Sequence, residues 1–151
     1  MKEQARILVV DDDESVRKTF TAILEENGYV VDTAECGKEA IEKSNKNFYN
    51  AALIDIWLPD MEGTELLTAI KETTPKMVKI IITGYPALQN AIEAVNKGAD
   101  AYVLKPPKMK EVLSTLKEHL QKQKEEKSLS EEKVAEFIQR RAKEIGEGKL
   151  K

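Results

Sequence analysis

Apolar and polar positions change period repeatedly along this chain. Arg6 to Val10 is an almost unbroken apolar run, as expected of a strand buried on both faces. From Ser15 the apolar residues Val16, Phe20, Ile23 and Leu24 fall on one side of a helix, which Gly28 ends. Tyr29 to Ala34 alternates as a second strand. A helix follows over Gly37 to Lys46 with Ala40 and Ile41 inward. Ala51 to Asp55 is a third, wholly apolar strand that stops on a carboxylate, and a helix from Gly63 carries the stripe Leu66, Leu67 and Ile70 until Pro75 closes it. Lys79 to Thr83 is the fourth strand. Gly84-Tyr85-Pro86 leads into a helix with Leu88, Ala91, Ile92 and Val95 inward, stopped by Gly98. Ala101 to Lys105 is the fifth strand, and after Pro106-Pro107 a last helix turns Val112, Leu113, Leu116 and Leu120 to one side.

Five strands alternating with five helices predict an α/β fold: a flavodoxin-like, doubly wound parallel sheet in strand order 2-1-3-4-5 with right-handed crossovers. Beyond about Gln121 the chain turns polar. A new helix start is expected at Ser130, with Leu129 and Val134 at its staple positions and Val134, Phe137, Ile138 and Ile145 as a thin stripe ended by Gly146 and Gly148. The expected division is therefore a body over residues 1–122 and, over 123–151, a polar linker with a short helical extension.

With 151 residues and 41% hydrophobic content, the chain can build one core and hardly two. The single cysteine, Cys36, rules out an internal disulfide framework and a cysteine-based zinc site. No apolar run approaches the roughly 18 residues of a membrane span, and no signal segment is evident, so a cytoplasmic protein away from membranes is expected. Residues 1–107 hold 12 basic against 18 acidic side chains, and residues 108–151 hold 12 against 9. An acidic body has no nucleic-acid footprint, and the basic tail mixes both signs as a solvated helix does.

The expected topology brings Asp11, Asp12, Asp55, Thr83 and Lys105 to the carboxyl ends of neighbouring strands, where open parallel sheets bind their ligands. Clustered carboxylates stay ionised together only beside a cation, and hard oxygen donors on a partly hydrated site suit Mg2+. Lys105 adds a second positive charge and Thr83 a hydroxyl donor. These are the parts of a phosphoryl-transfer site with a carboxylate as nucleophile. The one histidine, His119, is placed on the last helix as a surface residue.

Four motifs in order carry a resemblance: Val9-Val10-Asp11-Asp12-Asp13, Leu53-Ile54-Asp55 with Leu58-Pro59-Asp60-Met61-Glu62-Gly63, Ile82-Thr83-Gly84, and Tyr102-Val103-Leu104-Lys105-Pro106. Over residues 5–122 the chain closely resembles the receiver domain of two-component response regulators. The resemblance implies that Asp55 accepts a phosphoryl group from the phosphohistidine of a sensor histidine kinase. It implies Mg2+ held by Asp12 directly, Asp11 through water, Asp55 and the backbone carbonyl of Trp57, with Lys105 on the phosphoryl group and Lys105–Pro106 a cis peptide. Thr83 and Tyr102 become the switch residues that change the face of the fourth helix, fifth strand and fifth helix. That face, or the C-terminal extension, is the expected place for a target or a homodimer.

Asp13 reads as a cap or loop residue rather than a ligand. Trp57 stands where smaller or polar residues often follow the phosphorylated aspartate, and its ring is expected either to hinder the attacking water or simply to pack on the loop. Asp11 to Ser15 also fits the start of haloacid-dehalogenase-like phosphatases, with Asp11 as nucleophile and Asp13 as acid, but that reading leaves Asp55 idle. A binding module without phosphorylation is a third possibility, against which every motif residue is intact.

Overall fold

The computed structural model describes residues 4–84 and 88–146. Its elements run β1 (Arg6–Val10), α1 (Glu14–Glu26), β2 (Val30–Ala34), α2 (Gly37–Lys46), β3 (Ala51–Asp55), α3 (Gly63–Ala69), β4 (Val78–Thr83), α4 (Leu88–Asn96), β5 (Ala101–Leu104) and α5 (Met109–Gly146). The strands form one sheet in the order β2-β1-β3-β4-β5, every pair parallel. The fold is the expected flavodoxin-like (βα)5 sheet, with a longer last helix.

Because successive strand residues face opposite sides, each buried strand feeds two cores. Ile7, Val9, Leu53, Ile80 and Ile82 pack with Phe20 and Leu24 of α1 and Val112 and Leu116 of α5. On the other side Leu8, Val10, Ile54 and Ile81 pack with Ala40, Leu66, Leu67 and Ala94 of α2, α3 and α4. The register then fixes the functional edge. Val10 lies opposite Ile54, Asp55 opposite Ile82, and Thr83 opposite Leu104, so Asp11, Asp55, Thr83 and Lys105 all emerge at one edge of the sheet.

Two expectations are corrected. In α4, Ile92 and Val95 are exposed; Ala94 is the buried residue and Ala91 is half-buried. The smaller side chain packs into the core with Ile81 and leaves the branched ones outside. The Tyr85–Pro86 lead-in, the side chain of Leu88 and the Gly148 stop lie outside the described residues. The second correction concerns the tail: no linker breaks the helix and no new start occurs at Ser130. α5 is unbroken over 38 residues. Polarity does not break a helix; glycine and proline do, and residues 109–145 contain neither. Lys, Glu and Gln are good helix formers, and pairs such as Lys122–Glu118, 3.5 Å apart, add their small share.

Gln123 marks the end of the packed part of α5. It is buried, its amide donates to the carbonyls of Asn50 at 2.9 Å and Lys76 at 2.7 Å, and its own oxygen accepts from Asn50 Nδ2 at 3.3 Å. Asn50 and Lys76 precede β3 and β4, so this amide ties α5 to the edge of the sheet opposite the acidic residues. Among the described residues no helix is long and apolar enough to cross a membrane.

Candidate functional site

The turn from β1 into α1 is built by its own acids. Asp13 is the N-cap of α1, its carboxylate accepting from the backbone N–H of Ser15 at 2.8 Å and of Val16 at 3.3 Å, as expected of a cap. Asp11 Oδ1 accepts from the Asp13 N–H at 2.9 Å, and the Asp11 N–H donates to Ala34 of β2 at 3.1 Å. From one turn into α1, Arg17 reaches back to donate to the Asp11 carbonyl at 2.8 Å. Asp11 is thereby fixed and buried, while Asp12 beside it stands exposed.

Opposite them, Asp55 ends β3 with its side chain nearly buried. The loop beyond folds back so closely that a Cβ on Gly63 would lie 2.3 Å from the Asp55 carbonyl oxygen; only glycine fits there. The Gly63 N–H donates to Ile56 at 2.6 Å, and Trp57 bridges Glu62 across the loop. Asp60 anchors the other side. Its two carboxylate oxygens accept from the N–H groups of Gly37 and Lys38, each at 2.8 Å, at the start of α2, where Cys36 occupies the cap position without a side-chain cap bond. The loop that carries Trp57 is therefore clamped to the α2 N-terminus.

Carboxylate oxygens of Asp11, Asp12 and Asp55 lie within 4.8 Å of one another. Lys105, just past β5, points its ammonium at them, 2.8 Å from Asp11 and 3.5 Å from Asp55. Its own N–H donates to the carbonyl of Thr83 at 2.7 Å, which sets Lys105 against the end of β4, and Lys105–Pro106 is cis. Burial holds the Asp55 carboxyl above its ordinary range; Lys105 pulls it back, and the negative charge of Asp11 adds to the rise. Burial works the other way on Lys105, but its bonds to Asp11 and Asp55 prevail and hold the ammonium above its usual value. One lysine thus faces three clustered acids and leaves negative charge over. That surplus, on hard oxygens at a half-open edge, fits a small divalent cation such as Mg2+.

The structure brings together Asp11, Asp12, Asp55 and Lys105. Thr83 is fully buried at the end of β4, and Trp57 is exposed on the loop after Asp55. Tyr102 lies opposite Ile81, half-buried against the core on the α4 side of the sheet. Sequence reasoning missed Arg17, Asp60 and the close approach at Gly63. A base one turn after three acids was a usable signal for Arg17, and an acid three residues before a loop-closing glycine was one for Asp60.

A family model described as "Response regulator receiver domain" matches residues 7–117. The chain belongs to the receiver domains of two-component response regulators. Over 118 residues this receiver domain is 38% identical to the transcriptional regulatory protein ZraR of Klebsiella oxytoca, covering 78% of the chain but 27% of that protein. It spans roughly half the length of the mycobacterial response regulators it also matches. Among solved structures it is similar to a CheY-like receiver domain protein from Methanospirillum hungatei (44% identity, TM-score 0.79, covering 82% of this chain and 99% of that one). It is also similar to the beryllofluoride-activated receiver domain dimer of NtrC4 (39% identity, TM-score 0.73, covering 78% and 98%). The phosphatase reading gives way here, since the Asp13 carboxylate that it needs as an acid is engaged in capping α1.

Proposed function

We propose that Asp55 is the phosphoacceptor of this receiver domain, and that a histidine kinase's phosphohistidine is the donor. The observation that carries this is a carboxylate at a strand end, raised by burial, with the Lys105 ammonium 3.5 Å away and two further acids within 4.8 Å. An Asp55 oxygen attacks phosphorus in line; the P–N bond breaks, the imidazole leaves with its electron pair and takes a proton from solvent, and an acyl phosphate forms on Asp55. Hydrolysis reverses the roles: water attacks the same phosphorus and the Asp55 carboxylate leaves.

Asp12 directly, Asp11 through water, Asp55 and the Trp57 carbonyl would hold Mg2+, which when bound neutralises charge on the phosphoryl oxygens. Lys105 shares that work, moving from its pairing with Asp11 toward the new dianion. Arg17 and the Asp13 cap hold Asp11 and Asp12 in place for it. Thr83 donates its hydroxyl to a phosphoryl oxygen, and Tyr102 follows it inward, which alters the face of α4, β5 and α5 that a target reads. The phosphoryl group can move this equilibrium only by its better contacts in the switched state. The NtrC4 receiver, activated by a tetrahedral fluoride of phosphoryl-like shape, supports this reading by analogy. The body that accepts the phosphoryl group is residues 1–122, which signals in the cytoplasm to a protein target or a second copy rather than to nucleic acid.

The test is incubation with acetyl phosphate and Mg2+, read by intact mass. One hydroxylamine-labile phosphoryl group is expected on the wild type and none on Asp55→Asn or in the presence of EDTA. An adduct that survives Asp55→Asn and disappears with Asp11→Asn overturns the assignment.

A further inference from the structure

Residues 124–146 of α5 extend beyond the Gln123 anchor as a helix of roughly 35 Å at about 1.5 Å per residue. Nearly all of it is exposed, and Val134, Phe137, Ile138 and Ile145 are each more than half so. A polar helix with a thin apolar stripe is marginal without a partner. Spacings of 7, 11, 4 and 7 residues put Leu116, Gln123, Val134, Ile138 and Ile145 on one line, so the stripe continues the face that packs on the sheet. Its own body cannot cover it. The helix is unbroken, Gln123 fixes its direction at the lower edge of the sheet, and the stripe begins three turns further on.

The charges on this helix say what does. Residues 124–132 carry two lysines against four glutamates, and residues 133–146 carry four basic residues against two glutamates. Alongside a parallel copy, each half would meet its own sign. Turned end for end, the acidic half of one helix lies on the basic half of the other, and the point of reversal falls in the apolar stripe itself. With Val134 facing Ile138 of a second copy, Glu131 of each chain, one turn before Val134 on the same face, reaches Arg141 of the other, one turn after Ile138. Within the single chain Arg141 lies 3.6 Å from Glu144, a long pair on its own helix.

We infer that residues 124–146 form an antiparallel helix pair with a second copy of this chain, closed by a two-fold axis near residue 136. Such an isologous contact stops at the dimer. It sets the two bodies at opposite ends of the pair with their acidic edges facing outward, so it needs no phosphorylation and leaves the face of α4, β5 and α5 open.

The test is sedimentation velocity of the full, unphosphorylated chain across the micromolar range. A reversible dimer is expected for wild type, and monomer for Val134→Glu/Ile138→Glu, with the emission of Trp57, which reports the body, unchanged because both positions lie outside it. Arg141→Glu is expected to raise the dissociation constant by roughly tenfold, the worth of the two symmetry-related Glu131–Arg141 pairs turned repulsive. Adding Glu131→Arg to that variant restores it. A chain that is monomeric throughout, a dimer indifferent to Val134→Glu/Ile138→Glu, or a dimer indifferent to the arginine reversal, as a parallel pair would be, each overturns the proposal.

Discussion

Trp57 and Lys79 show how single residues are set by what surrounds them. The Trp57 ring is exposed beside Asp55 on a loop held at both ends, so it can stand over the path of an attacking water without being part of the core. Trp57→Asn is therefore expected to shorten the phosphoryl lifetime several-fold with unchanged acceptance from acetyl phosphate; an unchanged lifetime assigns the ring to packing alone. Lys79, the second residue of β4, is almost wholly buried, its ammonium donating to the Leu67 carbonyl at 2.8 Å near the end of α3. Burial holds its pKa below the ordinary lysine value. The folded state therefore binds this proton less readily than the unfolded chain. The resulting cost is present at neutral pH and is relieved as pH rises through the folded-state value. Urea unfolding of wild type against Lys79→Met, followed from neutral to alkaline pH, should show this rise in wild type and a flatter profile in the variant. The residues of the site that end strands were legible in the sequence, because a charged residue closing an apolar run needs only local pattern to be seen. Arg17, Asp60 and Gln123 were not: each is defined by a backbone group that the fold brings close, and for Asp60 and Gln123 that group lies 22 or more residues away in the chain.

At the scale of elements, period was enough to find every strand and the first three helices. It failed where two readings of a helix competed. In α4 the branched residues Ile92 and Val95 have the greater hydrophobicity, but it is Ala94 that packs beneath the helix, and single-residue hydrophobicity does not encode how closely a helix approaches its sheet. In α5 a polar stretch read as a linker because nothing apolar marked it, although nothing in it breaks a helix. The α2 N-terminus makes the same point from the other direction. Its cap comes from Asp60 rather than from Cys36 at the cap position, so the helix start depends on the loop after β3. Asp60→Ala is expected to cost about 1 kcal/mol, or about 2–4 °C in Tm, and to loosen the loop that carries Trp57. A melting curve with Trp57 emission recorded below the transition checks both effects; no change in either would mean the clamp contributes nothing.

The whole molecule divides its work between the two edges of one sheet. At the carboxyl edge, parallel strands deliver three acids and a lysine to one place, and Thr83 and Tyr102, the proposed switch residues, stand on the neighbouring strands β4 and β5. At the opposite edge Gln123 fastens α5 before it leaves the body, which places the proposed pairing helix far from the chemistry. Phosphorylation and self-association are thereby independent in principle, and a target could read the switched face in either oligomeric state. Asp55 is the residue proposed to become phosphorylated. The most direct test is borohydride reduction of the chain after treatment with acetyl phosphate and Mg2+, followed by peptide sequencing by mass spectrometry. Reduction of an acyl phosphate converts the acceptor aspartate to homoserine, so homoserine at position 55 alone is the expected result. Homoserine at position 11 or 12, or none anywhere in a chain shown to be folded, would contradict it.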